Sequence, residues 1–441
     1  MHKSKFSTLV IVLCFFLEAS AATQTSFTQK QYEEDFDYLW QAISEDYAYF
    51  DQKQTDWKKV REIYRPQINA VKTRSDFITL LESVLEELYD FHTHLNTNTP
   101  ASPRLVPSGT DIWAEWVNGR ALITEVRPGL FAQRTGVRNG MQLTAINGQP
   151  VDEAVTRRLG KSLRSQDQAA KNWALRILLA GRHNEKRSIE VTSGGERKVF
   201  TVFTLDDQSG GEAVQTRPLL EFRRLEEDLG YIRINNSLGD TDLIKQFDIA
   251  LGELRNTHGL ILDLRDTPSG GNTTVARGIM GRFIRHDLAY QKHSIPAEER
   301  LYGTKRSWVE LVSPRGAFSY SAPVVVLVDH WTGSMGEGIA IGMDGMRRAI
   351  IVGTEMARLV GATSGITLPN TGIGVHFPTE KLFHINGSPR ENFVPPVHVN
   401  LLLKLNRDVE DPILTQGLPV LQRLMRRSKR STKSHEAARK D

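Results

Sequence analysis

The stretch Val324-Val325-Val326-Leu327-Val328-Asp329-His330-Trp331-Thr332-Gly333-Ser334-Met335-Gly336-Glu337-Gly338 decides how the chain is read. Its five aliphatic residues alternate with nothing polar, which is the mark of a strand buried on both faces. Glycine and serine then break the strand, and a helix follows. A serine at such a junction has its hydroxyl exposed beyond the strand's C-terminal end. The Met335 amide at the helix start points toward developing negative charge. This is the physics of a nucleophile elbow, although the residues are not G-x-S-x-G. A serine that merely caps a helix is the commoner reading of this stretch taken alone.

A second buried run lies upstream. Leu260-Ile261-Leu262-Asp263-Leu264-Arg265 leads into Asp266-Thr267-Pro268-Ser269-Gly270-Gly271-Asn272. Paired glycines after a buried strand let the backbone approach a ligand closely, and their amides can complete an oxyanion hole. Around these runs a strand at 230–234 and helices near 243–254 and 275–284 alternate, which predicts an α/β sheet.

Three further regions precede this core. Lys3 and Lys5, the apolar run Leu9–Leu17 and Ala19-Ser20-Ala21 form a secretory signal cut after Ala21. Cys14, the single cysteine, lies inside it, so the mature chain has no disulfide, thiol nucleophile or Cys-ligated metal. Residues 22–96 read as helical, through Phe36, Leu39, Trp40 and Ile43 and again through Phe77, Leu80, Leu81, Val84 and Leu88. A Pro/Ser/Thr-rich linker from Thr97 to Thr110 leads to a β-rich block ending near 207, with strands at 121–126, 142–146, 188–191 and 199–203. Asn147-Gly148 is its hairpin turn, and helices are expected near 130–136 and 166–179. Gly210-Gly211 marks the joint to the α/β core of residues 215–410. A closing helix (411–424) and a basic, disordered tail (425–441) follow.

Length and charge fit this division. The chain has 441 residues, 39% hydrophobic and 24% charged, enough for two or three domains and too apolar for disorder. No apolar window is long enough for a transmembrane helix. The formal charge of +4 is uneven: the last 21 residues carry +6 and the first 21 carry +1, which leaves the body at −3. A nucleic-acid groove in the folded part is therefore not expected. Nor is a nucleotide site, for want of a P-loop or Rossmann glycine pattern.

Within the β-rich block, Gln133-Arg134-Thr135-Gly136-Val137-Arg138-Asn139-Gly140-Met141-Gln142-Leu143 through Ile146-Asn147-Gly148-Gln149-Pro150-Val151 resembles a PDZ domain, with Met141 in place of the usual Asp. Such a domain implies capture of a polypeptide, in part by its C-terminus, through strand addition. The segment 260–272 together with Thr332-Gly333-Ser334-Met335-Gly336-Glu337 resembles the tail-specific, or C-terminal processing, protease family of serine peptidases, whose motifs are DLR.N.GG and T-x-S-x-x-E. The order of helical region, PDZ and α/β core matches as well. The resemblance implies a ClpP/crotonase-like core, an exported serine endopeptidase using acyl-enzyme chemistry, and no cofactor or metal.

It also implies the site. Many members use a lysine in G-x-x-T-x-G-K, but here Ala362 stands at that place and Arg358 is too basic to substitute. The tricorn-like branch uses a histidine from the N-terminal region, and Asp90-Phe91-His92-Thr93-His94 matches that segment, with Phe91 where the branch has serine. A glutamate near the end of the core completes the set, at Glu391 in Asn386-Gly387-Ser388-Pro389-Arg390-Glu391. The resemblance thus assigns Ser334 as nucleophile, His92 as base and Glu391 as its orienting carboxylate. Amides of Gly270 or Gly271 and of Met335 would hold the oxyanion. Three competing readings stand beside it: a metal-dependent hydrolase using Asp90, His92 and His94, His330 as a rival base, and a silent peptide-binding scaffold of the same fold.

Overall fold

The computed structural model describes residues 27–183, 185–202, 217–403 and 409–437, with side chains to 428. The signal and the Gly210-Gly211 joint lie outside the described residues. The chain opens with α1 (Gln29–Asp46), α2 (Trp57–Tyr64) and α3 (Arg74–Glu86). Each start has its own cap: Thr28 and Gln31 exchange hydrogen bonds, Asp56 accepts the Lys58 and Lys59 amides, and Thr73 pairs with Asp76. Such caps satisfy amides that a helix start leaves open. The apolar stripe of α1 (Phe36, Leu39, Ile43) and that of α3 (Phe77, Leu81, Val84) meet in one cluster with Val375 and Phe377 of the core. Buried Asp35 ties the same seam by accepting the Asn370 and Thr371 amides at 2.9 and 2.8 Å.

The short strand β1 (His94–Leu95) leaves this region, and the β-rich module follows. It contains β2 (Ile112–Val117), β3 (Arg120–Val126), α4 (Phe131–Thr135), β4 (Gln142–Ile146), β5 (Gln149–Pro150), α5 (Val151–Arg158), α6 (Gln168–Ala180), β6 (Arg187–Ser193) and β7 (Glu196–Val202). Its sheet runs β2-β3-β4-β6-β7, with β5 on β4. Gly136 ends α4 in the left-handed conformation, φ 101°. The stretch expected as a linker is packed instead: Ser102, Arg104, Val106 and Thr110 are buried. Its backbone has partners to hold it there, as the Arg104 amide donates to the Gly181 carbonyl and the Trp331 indole to that of Thr110.

The core comprises β8 (Leu220–Leu225), β9 (Leu229–Ile234), α7 (Asp242–Glu253), β10 (Leu260–Asp263), α8 (Thr273–Met280), β11 (Leu288–Ile295), α9 (Pro296–Tyr302), β12 (Arg306–Val312), β13 (Val324–Val328), α10 (Met335–Gly345), β14 (Ile350–Gly353), β15 (Ala362–Thr367), β16 (Gly374–Phe383), β17 (Val397–His398) and α11 (Pro412–Ala437). One sheet has the order β17-β14-β13-β10-β9-β8, parallel except at β8. Every residue of β10 and β13 is buried, because α7, α8 and α10 cover one face and α11 the other. A second sheet, β1-β16-β11-β12 with β15 on β16, brings the end of the N-terminal region onto the core.

The closing helix differs from expectation. It starts at Pro412, capped by Asp411, and continues to Ala437 rather than ending at 424. Its apolar stripe runs as far as Met425: Leu421 is buried, Leu424 and Met425 still pack on the core, and Arg423, Arg426 and Arg427 fall on the exposed side.

Candidate active site

The parallel pairing of β10 and β13, Leu260 opposite Val324 through Asp263 opposite Leu327, ends both strands side by side. Beyond them Thr267 and Thr332 meet in a parallel bridge, and both hydroxyls donate to the Leu264 carbonyl, at 2.8 and 3.1 Å. The Gly333 amide then donates to Thr267 O at 3.2 Å, so the two loops are bolted together just before the nucleophile candidate. Ser334 itself has φ 47° and ψ −107°. A non-glycine residue in that region is strained, and such strain gathers at functional positions. The next residue begins α10.

The glycine pair closes on this turn from the β10 side. A Cβ on Gly270 would lie 2.4 Å from Ser334 Cβ, and one on Gly271 would lie 2.2 Å from the Leu238 backbone, so neither position tolerates a side chain. The geometry distinguishes the two amides. That of Gly270 is used internally, donating to Thr267 O at 3.1 Å. Those of Gly271 and Met335 have no acceptor among the described residues. Two open amides flanking a serine are what an oxyanion requires.

Glu337, quoted above only as part of a motif, turns out to be the frame of the site. It is fully buried, and its Oε2 accepts the amides of Ser334 at 2.8 Å and Leu359 at 3.2 Å, while Oε1 accepts that of Arg358 at 3.0 Å. Arg390, also buried, stands 4.0 Å from Glu337 and donates to the carbonyls of Ser334 (3.3 Å), Leu359 (2.8 Å) and Gly361 (3.0 Å). The pair therefore fixes the serine turn to the strip 358–361. Burial raises the Glu337 carboxyl to about 7, against the pull of Arg390 and the three amides. A serine three residues before a glutamate at a helix start was the available signal, since that spacing is a capping box. Changing Glu337 to Gln keeps the shape but turns an NH₂ toward a donor. Loss of a charge-assisted bond of about 1.5–3 kcal/mol should lower kcat by roughly 10–100-fold. It should also abolish an acid limb near pH 7, because only the ionised carboxylate accepts all three amides. A pH–rate profile with an unchanged limb would refute this role.

His92 reaches the same strip from the other side. Its Nδ1 bonds the Val360 carbonyl at 2.9 Å, and its amide donates to Asp90 Oδ1 at 2.8 Å. Because a carbonyl only accepts, Nδ1 carries the proton and Nε2 keeps its lone pair. Burial, and then the Arg390 charge, lower the imidazole to about 4, so it is neutral near pH 7. The contact expected from Glu391 to this ring is thus made by Val360. Glu391 sits in the single helical turn after Pro389, where Gln52 Nε2 donates to its Oε1 at 3.4 Å and Oε2 is buried without a partner among the described residues. Its charge is instead felt by Tyr49 and Lys53.

The rival groups are engaged elsewhere. Asp90 Oδ2 accepts from the Tyr47 and Thr93 hydroxyls at 2.9 and 3.0 Å. His94 bonds its neighbour's carbonyl and stacks on His376, 5.2 Å between centroids. No group of three metal-ligating side chains occurs among the described residues. His330 is buried against the β-rich module, bonded through Nδ1 to Glu125 and stacked on Trp113 at 4.7 Å. Burial lowers it to about 3.

Residues 228–397 match peptidase family S41, and residues 28–86 match the tricorn protease C1 domain. The core of the chain is an S41 peptidase domain. It is a serine-type peptidase. The carboxyl-terminal-processing protease of Synechocystis sp. is 27% identical over 331 residues, 72% of this chain and 68% of that protein. The fold is that of mature CPAF (TM-score 0.61, 15% identity, 90% of this chain and 98% of that one). It is also that of the photosystem II D1 C-terminal processing protease (TM-score 0.52, 16% identity, 87% and 99%). The S41-matched core holds Ser334, Glu337 and Arg390, while His92 comes from the segment just after the C1-like region.

Proposed function

We propose that the chain is an endopeptidase of polypeptides in which Ser334 attacks the scissile carbonyl and His92 is the base. Nε2 of His92 takes the Oγ proton as the acyl bond forms, then returns it to the departing amine; a water repeats the transfer to release the acid. The amides of Gly271 and Met335 hold the oxyanion. Val360 orients the imidazole, and Glu391 stands apart from it, bonded to Gln52. No cofactor enters these steps. The observation that carries the reading is the strained Ser334 turn beside two open amides, hung from the same backbone strip as a histidine with a fixed tautomer. The basic start, short apolar run and Ala19-Ser20-Ala21 support export of the mature chain, and no helix among the described residues is long and apolar enough to cross a membrane.

The PDZ-like reading of the β-rich module has support in its glycine spacing, but strand addition has an obstacle. The free edge of β2 is occupied: Asn172 Oδ1 accepts the Trp116 amide at 3.0 Å, and Arg176 Nε donates to the Ala114 carbonyl at 3.2 Å. A peptide adding there by its backbone would have to displace both side chains of α6.

Labelling with a serine-reactive fluorophosphonate tests the proposal. The expected result is a single adduct at Ser334, and activity on a casein-type substrate that survives dialysis against EDTA. An adduct elsewhere, or activity lost to EDTA and restored by zinc, would overturn it.

A further inference from the structure

The residue before His92 belongs, by its contacts, to a different domain. Phe91 lies in the N-terminal segment by sequence, yet it packs into the apolar cluster of the β-rich module. Its ring stacks on Trp173 of α6, 6.4 Å between centroids and 28° between planes. It also meets Trp113 of β2 at 6.5 Å. Both indoles are almost fully buried. The same Trp113 carries His330 on its face and meets the edge of Trp331 at 6.4 Å, and those two residues lead directly into the Ser334 turn.

The platform is rigid for reasons already given. Arg176 and Asn172 pin α6 to β2, and the Arg176 guanidinium lies 4.1 Å from the centre of the Trp113 ring. Such aromatic pairs favour defined offset or edge-to-face arrangements and so fix mutual orientation. Asp90, the residue before Phe91, accepts the His92 amide and is itself fixed by the Tyr47 and Thr93 hydroxyls. The chain leading into the histidine is therefore anchored twice, at Asp90 in the N-terminal region and at Phe91 in the β-rich module.

We infer that Phe91 is a positioning residue for the base: the β-rich module serves catalysis in this chain by clamping Phe91 between Trp113 and Trp173, which sets where His92 stands relative to Ser334. The inference rests on the proposal that His92 activates Ser334. A displacement of about 1 Å in a catalytic group can cost on the order of 10²-fold in rate. Truncating the ring should therefore act on the chemical step and leave substrate affinity alone.

The test compares Phe91→Ala, Phe91→Tyr, Trp173→Ala and Trp173→Phe in the full chain. Steady-state kinetics, fluorophosphonate labelling rates and thermal unfolding are measured for each. Both alanine variants should lose kcat by about tenfold or more, with KM unchanged and labelling slowed in parallel. Phe91→Tyr and Trp173→Phe keep the stack and should recover most of the rate. Should Phe91→Ala fail to fold, the two Trp173 variants decide by the same comparison. Alanine variants that fold and keep wild-type kcat would overturn the inference, as would loss that tracks only the unfolded fraction. Failure of wild type to label at Ser334 would instead strike the underlying peptidase reading.

Discussion

Ser334→Ala is expected to lose kcat by on the order of 10⁴-fold or more, since nothing else in the site can form the acyl bond. The substitution removes one oxygen at a position whose backbone strain is unchanged, so thermal unfolding should stay near wild type. The measurement is hydrolysis of a casein-type substrate alongside calorimetry. Residual hydrolysis within tenfold of wild type would assign the nucleophile elsewhere.

His92→Ala is expected to cost on the order of 10³-fold or more in kcat, because base and nucleophile act as a unit. Glu391→Ala should cost less, as its carboxylate bonds Gln52 and not the imidazole. The pH dependence supplies a second check. A free imidazole titrates near ~6.5, and a neighbouring glutamate would push the activity midpoint upward. The structure reverses that expectation: burial and Arg390 bring His92 down to about 4. The base thus stays neutral, and competent, as pH falls through the ordinary histidine range. In the Glu337→Gln background, where the limb near 7 is gone, the remaining activity should persist down toward pH 4. A midpoint staying near 6.5 in that background would mean His92 is exposed to solvent when active. Activity retained in His92→Ala but lost in His330→Ala would move the base to the module interface.

How much of this was legible in the residues alone depends on range. The two buried runs at 260–264 and 324–328 declared themselves, because a parallel strand covered on both faces has no polar alternation to hide it. The hairpin β11–β12 and the edge strand β2 did not. Their patterns are half-exposed, and in β2 the outward groups answer to α6 some sixty residues away. At the site, Ser334 and the glycine pair were readable from local sequence. Which glycine amide stays open was not, since that depends on Thr267 turning its carbonyl toward Gly270. The partner of His92 was likewise hidden: a main-chain carbonyl 268 positions away leaves no trace in side-chain chemistry. Phe91 reads as a departure from the tricorn-like pattern until Trp113 and Trp173 are seen around it.

The backbone angles at Ser334 have a consequence for how such an enzyme changes over time. An L-residue held at φ 47°, ψ −107° costs on the order of 1–3 kcal/mol, a sizeable part of a domain's margin against unfolding. Glycine would relax that cost, and with it the hydroxyl would vanish. Selection for a sturdier protein and selection for a working one therefore pull this codon in opposite directions. Lineages freed from the need to cut would be expected to drift here first, toward a calmer and inert fold.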